Sequence, residues 1–422
     1  MVIPFFLLAE LPSSWPTFVQ TVLRMGIAVK PGVPCKITQM CFQSETFCRD
    51  WRLYGQSFPG AVMMRRFVRL LLWCALLPLY VLGGDSAAGG PEQLAESGHW
   101  KRLRAWAEPR VAADANDAQA AYFLASVKEE LGNLDGALLL AEKAVSLDAN
   151  NARYHYRVAT ICISQAQKAG IFKGLGLARR FKAEAEKAIS LDPKNVDARE
   201  ALMEYYFDAP GIAGGDKKKA WATADEIGKI DAVSGLLAQG SLALKEKNPA
   251  KQQEFYERAL AASPHNGKVL RLLAAFYSGD SQKKFDLAEK YGLEALKMEE
   301  DRVGPYIVLA VAYAGAERWK DLDAIMDRGE KNDPDDFGAH YQAGKVLLLS
   351  GKDLPRAERY FRKYLTMEPE GGEPNHAAAH WRLGLVLEKE GKKAEAIAEM
   401  EATLRLQADF KEAKEDLKRL KK

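Results

Sequence analysis

The stretch AQAAYFLASVKEELGNLDGALLLAEKAVSLDANN, Ala118 to Asn151, decides how the rest of the chain is read. It holds a helix-length apolar-periodic segment, a tight turn at Gly132, a second such segment and a short polar exit. Small residues at Ala125, Ala137 and Ala144 fall where two antiparallel helices must approach closely. A second clear copy, AAAHWRLGLVLEKEGKKAEAIAEMEATLRLQA, runs from Ala377 to Ala408 and turns at Gly391. Weaker copies between them recur about every 34 residues, giving about eight hairpins. A lone hairpin cannot bury its apolar stripe, so the copies must stack. The predicted fold is all-α: an α-α superhelix, or solenoid, of about eight helical hairpins over residues 118–408.

The intervening copies keep the punctuation and vary the turn. Gly240, Tyr256 and Ala259 lead to Pro264; Ala310 and Tyr313 lead to Pro334; Tyr341, Gly344, Gly351 and Ala357 lead to Pro369. Proline beyond a second helix removes no needed donor and stops the helix. The second copy carries a longer turn from Lys168 to Gly176, the third an unusual loop from Ala209 to Asp216, and the fifth an insertion from Gly279 to Lys284. Residues 89–117 read as an N-terminal cap or degenerate half repeat. Its turn falls at Gly98-His99-Trp100, and Pro109 is expected to kink or end its helix. In residues 409–422, Phe410, Ala413, Leu417 and Leu420 share one stripe, as a C-terminal capping helix requires.

These residues resemble the tetratricopeptide repeat family: Leu124, Ala125, Gly132, Ala137 and Ala144 in the first copy, Leu383, Gly384, Gly391 and Ala396 in the last. The resemblance implies antiparallel helix pairs coiled into a superhelix, with a peptide-binding concave side lined by fixed positions of each first helix. Here those positions fall near Leu237 and Ser241, Arg271, Ile307 and Val311, Tyr341 and Lys345, and Trp381 and Leu385. The family variant that clamps a partner's terminal carboxylate uses Lys, Arg and Asn there. This chain has mostly aliphatic and aromatic residues instead. The implied ligand is a peptide or protein anchored by apolar or aromatic groups, or the protein's own terminal segment folded inward.

The loop Ala209-Pro210-Gly211-Ile212-Ala213-Gly214-Gly215-Asp216-Lys217 resembles a signature of exported or envelope repeat proteins of bacteria. Gly211, Gly214, Gly215 and Lys217 offer a candidate anion or partner contact, since a Gly-rich turn entering a helix can present backbone N–H groups. The nucleotide-loop spacing GxxxxGK[ST] is absent, and Asp216 as an N-cap would occupy the same donors, so a structural turn is the favoured reading. His376 and His380 share a helical face but lack the third ligand and the Glu of a zinc helix, and no metal site is expected. No catalytic constellation is present in the text of the repeats, and neither an enzyme nor a cofactor is expected.

Residues 89–422 hold 52 basic and 53 acidic residues, so the repeat region is near neutral and nucleic acid is not an expected partner. Its single cysteine, Cys162, reads as a small core hydrophobe. Residues 63–88 differ from all this. Met63-Met64-Arg65-Arg66 opens a basic start, Leu70 to Leu82 is apolar, and Ser86-Ala87-Ala88 ends in small side chains, the order of a secretory signal peptide. A membrane anchor over residues 67–84 is the rival; the apolar run is short for a crossing. Residues 1–62 are expected to be a non-native leader from too early a start, against a small domain built on Cys35, Cys41 and Cys48. The expected function is a non-catalytic interaction scaffold or adaptor of the bacterial cell envelope, exported to the periplasm. The alternative is an envelope assembly factor anchored in the inner membrane and facing the periplasm; an enzyme, or an accessory subunit of an envelope enzyme complex, ranks below both.

Overall fold

A computed structural model of the protein describes residues 89–422, residue 373 excepted, and the expected leader and signal segment lie outside them. The described residues form nineteen α-helices, one turn of 3-10 helix and no strand. A short pair, α1 (Pro91–Ser97) and α2 (Trp100–Ala113), precedes eight hairpins. The first two hairpins are α3 (Ala118–Glu130) with α4 (Leu134–Leu147) and α5 (Ala152–Lys168) with α6 (Ile171–Leu191). The next two are α7 (Val196–Asp208) with α8 (Lys217–Ile230) and α9 (Ala232–Lys245) with α10 (Pro249–Ala262). Then come α11 (Gly267–Ser278) with α12 (Phe285–Met298) and α13 (Val303–Gly315) with α14 (Trp319–Asn332). The series closes with α15 (Gly338–Ser350) and α16 (Leu354–Tyr364), α17 (His376–Lys389) and α18 (Lys393–Leu406), and a final α19 (Lys411–Leu420).

The polar punctuation of the sequence does the starting and stopping. Asp117, Asn133, Asn151, Asn195, Asp231, Asn248, Asn266 and Asn375 each sit just before a helix, and their side-chain oxygens accept from one of its first backbone N–H groups. Gly132, Gly351 and Gly391 turn the chain between paired helices at φ of 78°, 69° and 78°. Lys247 and Glu317 occupy the same kind of turn at φ 56° without being glycine.

Helix pairs close on each other through small residues. A Cβ on Gly240 would meet the Tyr256 ring at 2.3 Å, one on Gly344 the Phe361 ring at 3.1 Å, and one on Gly384 the Met400 methyl at 2.8 Å. The bulk that fills each crossing thus comes from the facing second helix. Ala125, Ala137, Ala141 and Ala144 are fully buried in the same role. Successive repeats are tied by tyrosines: Tyr277 donates to Glu257 at 2.9 Å and Tyr313 to Glu289 at 3.0 Å, each reaching the preceding second helix. Cys162 is fully buried, and that burial pushes its thiol up to about 11.

One expectation at the N-terminal end is corrected: Pro109 does not end its helix. Helix α2 runs through Pro109 to Ala113. The carbonyl that loses its donor belongs to the exposed Ala105, where water can replace it. Arg110 stacks on Trp106 at 4.6 Å and pairs with Asp117 at 2.9 Å, tying the last turn to its surroundings. The α1–α2 pair also meets residues far along the chain. Lys101 and Arg102 reach the loop after α14, where Lys101 Nζ donates to the Asp335 carbonyl at 2.6 Å and Arg102 Nε to the Asp335 carboxylate at 2.9 Å. The Lys101 backbone N–H donates to Glu370 at 2.9 Å, Arg104 pairs with Glu368 at 3.3 Å, and Gly372 N–H donates to the Glu130 carbonyl at 2.5 Å. The superhelix therefore completes a turn and closes on itself along a polar seam.

Candidate functional site

Three hairpins depart from the compact pattern, the second, third and fifth, and the irregular parts of the second and third border one hollow. The segment Lys168 to Gly176, expected as a long turn, is a correction: only Ala169 and Gly170 interrupt the helices. Helix α6 has 21 residues where α4 has 14, so its first turns project past the neighbouring repeats. Nothing in Ile171-Phe172-Lys173-Gly174-Leu175 forbids helix, and a Cβ on Gly174 would sit 3.3 Å from the Ala166 carbonyl, so its lack of a side chain eases the approach of α6 to α5.

The loop of the third hairpin is built as a turn. Gly211–Ala213 makes the 3-10 turn and Gly214 follows at φ 97°. A Cβ on Gly215 would lie 1.7 Å from the Ala209 carbonyl, and only glycine fits. Tyr205 donates its hydroxyl to the Ala213 carbonyl, and Asp216 N–H donates to the Tyr206 carbonyl at 2.7 Å. The Asp216 carboxylate accepts from the N–H groups of Lys218 and Lys219 at 2.9 and 3.2 Å, which fills the N-terminal donors of α8. Lys217 Nζ lies over the Phe207 ring at 4.7 Å. Of the loop residues named from sequence, Gly214 and Gly215 thus serve the backbone. The loop's apolar members, Ala209, Pro210, Ile212 and Ala213, turn out to line the hollow.

That hollow has a volume of about 630 Å³, within the range of sites that hold a drug-sized ligand. Ile163, Ala166, Ile171, Leu175 and Phe181 supply apolar wall from α5 and α6. Helix α7 supplies Ala201 and four carboxylates, Asp197, Glu200, Glu204 and Asp208. No lysine or arginine lines it. Asp208 is paired outward with Lys245 at 2.6 Å, while no ion pair joins Asp197, Glu200 or Glu204 to another described residue. Burial raises the Glu200 carboxyl; Lys268 opposes that rise, and neighbouring Asp197 and Glu204 add to it. Thr160 and Ser164 are already donating to Glu129, at 3.0 and 3.4 Å. Exposure singles out the rim. Ile171, Phe172 and Ile212 are 81%, 93% and 86% exposed, more than any other large hydrophobic among the described residues.

The concave positions named from sequence are distributed differently. Leu237 and Tyr341 are buried; the Tyr341 ring packs on Phe361, and its hydroxyl accepts from Arg382 at 2.8 Å. Ser241, Ile307, Val311 and Lys345 are half-buried, and Arg271 is paired with Glu299 at 2.6 Å. Trp381 stacks on Phe410 at 5.5 Å and donates to Asp416 at 2.9 Å, so it packs against the terminal helix. Trp381 and Leu385 border a smaller hollow of about 520 Å³ with Leu348 and Leu349. His376 contacts the Met367 carbonyl at 2.8 Å and His380 contacts Glu399 at 2.6 Å, each in its own surroundings. Among the described residues no group of three side chains could hold a metal.

The fold is a tetratricopeptide-repeat superhelix, and the repeat's sequence model matches residues 118–151 and 377–410, the first and last full hairpins. The chain carries tetratricopeptide repeats at these two positions. Similar solved structures include a tetratricopeptide repeat protein from Parabacteroides merdae, 16% identical, covering 63% of this chain and 99% of that one at TM-score 0.41. They also include yeast Tom70, 14% identical over 78% of this chain and 80% of that one at TM-score 0.44. PilW, a type IV pilus biogenesis factor, is 19% identical over 54% of this chain and 99% of that one at TM-score 0.41. No curated protein matches the sequence.

Proposed function

We propose that the chain is a non-catalytic scaffold of the bacterial cell envelope that holds a protein partner in the hollow between its second and third hairpins. The observation that carries the binding site is the coincidence of an open cavity of about 630 Å³ with two of the three most exposed large hydrophobic side chains among the described residues, Ile171 and Ile212. The concave stripe through Ile307, Val311 and Leu385 is a second candidate surface, favoured by the hollow beside Trp381. Export rests on the basic, apolar and small-residue order of residues 63–88.

Photo-crosslinking amino acids at Ile212 and at Val311, in cells of the source organism, separate the surfaces. A discrete adduct from position 212 and none from 311 supports the hollow; the reverse moves the site to the stripe. N-terminal sequencing of the endogenous protein from envelope fractions tests export. A start near Gly89 is expected, and a soluble cytoplasmic species beginning at Met1 overturns it.

A further inference from the structure

We propose that the hollow recognises a cationic amphipathic segment of its partner, with lysine or arginine side chains set beside bulky apolar ones. This deepens the scaffold reading and rests on it. The argument is one of charge complementarity in an apolar cleft. Asp197, Glu200, Glu204 and Asp208 are spaced by three, four and four residues, so they stand along one face of α7. At the rise of an α-helix that row is about 16 Å long. The wall from α5 and α6 carries Ile163, Ala166, Leu175 and Phe181 among the polar Thr160, Ser164 and Gln167, and Ile171 and Ile212 stand exposed at the rim.

Three of the four carboxylates have no ion-pair partner among the described residues, and Glu200 is half-buried. The one cation that offsets Glu200 is Lys268, which does not line the cavity. A partner segment that brings its own cations would relieve the repulsion along the row while burying its apolar side chains on the facing wall. An acidic segment would meet the row with like charge, and a purely apolar one would desolvate Glu200 without replacing its lost hydration. Tyr156, which also lines the hollow, has no hydrogen-bond partner for its hydroxyl among the described residues.

The test uses the full-length chain and two fluorescent peptides, one of alternating lysine and leucine and a twin with glutamine for lysine, read by anisotropy. The lysine peptide should bind at least about tenfold more tightly than its twin, and Glu200→Gln with Glu204→Gln should remove that advantage. The twin's own affinity should not change. A control pair on α19, Glu412→Gln with Glu415→Gln, should leave both peptides unaffected, and circular dichroism should show unchanged helicity throughout. Equal binding of the two peptides, or an equal loss in the α19 control, overturns the cationic assignment. If Ile171→Ser with Ile212→Ser still weakens the glutamine twin, the apolar hollow survives that failure. If neither set of substitutions alters any binding, the hollow is not the site and the scaffold reading must move to the concave stripe.

Discussion

Gly344 and Lys247 show opposite uses of the smallest side chain. Gly344 lies under the Phe361 ring, where an added Cβ would come within 3.1 Å of it. Gly344→Leu should therefore cost roughly 1–3 kcal/mol through overpacking. An exposed change such as Lys414→Ala should shift stability by less than about 0.5 kcal/mol. Coincident urea midpoints for the two variants would show that the crossing tolerates bulk. Lys247 presents the reverse situation, a side chain held at φ 56° in a turn where other repeats use glycine. Lys247→Gly should raise stability by about 0.5–1 kcal/mol, the left-handed strain outweighing the extra freedom glycine gives the unfolded chain. A lower midpoint for that variant would mean the turn is held by interactions of the lysine itself.

About half of the helices are entered through a side-chain cap, and there the entry contributes directly to stability. Asn266 accepts from the Val269 N–H at 3.1 Å, and α11 then opens on Gly267, a poor first residue. Asn266→Ala should cost about 1 kcal/mol, and hydrogen exchange should report faster opening over α11 than over α9. Uniform exchange across both would sink the idea that the cap governs entry. These caps, with the glycine turns and small crossing residues, are local features, which is why the hairpins and their phase were legible in the sequence. The hollow was not. Ile171 to Leu177 carries no signal that separates a glycine-bearing helix from a glycine-rich turn, and its projection matters only once neighbouring repeats are in place. The carboxylate row on α7 keeps helical spacing in plain text, yet on one helix it reads as a solvated face until an apolar wall stands opposite. Tyr341 is buried because its ring packs on Phe361 and Tyr364 of α16, and Leu237 is buried in the cluster with Tyr256 and Leu273.

At the scale of the whole molecule, the polar seam gives the chain a closure that is firmer in acid and loosens as pH rises. Glu370 is buried against α2, with its Oε2 lacking a hydrogen bond and Lys101 Nζ 3.4 Å away. Burial lifts its carboxyl to about 7, and burial likewise raises Asp333 and Asp336 beside it. A raised carboxyl means the folded state binds more protons than the unfolded one. The stability it contributes is complete below the unfolded value and is lost as pH rises through the folded one, here from about 4.5 to about 7. His340 works the other way: burial lowers it to about 4, so its contribution falls as the medium becomes more acid. Glu370→Gln isolates the seam. Relative to the parent, its thermal midpoint should rise steadily between pH 5 and pH 8, because the charge that must be buried is gone. A constant offset across that range would show that Lys101 fully neutralises Glu370.

The seam also sets an order of events in time. Neighbouring hairpins touch residues only tens of positions away, so each can form as soon as its successor exists. Lys101 and Glu370 are separated by 269 positions, and Arg102 and Asp335 by 233. The second contact must wait until six hairpins have been synthesised and stacked, and the first until seven, and loop closure over such spans is slow. Until then α1 and α2 have only the first repeats to rest on, and a chain still emerging would present their unmet basic side chains to the solvent. Closure of the seam is thus a late step of assembly, and it requires the six or seven hairpins between its two sides to stack with the correct pitch.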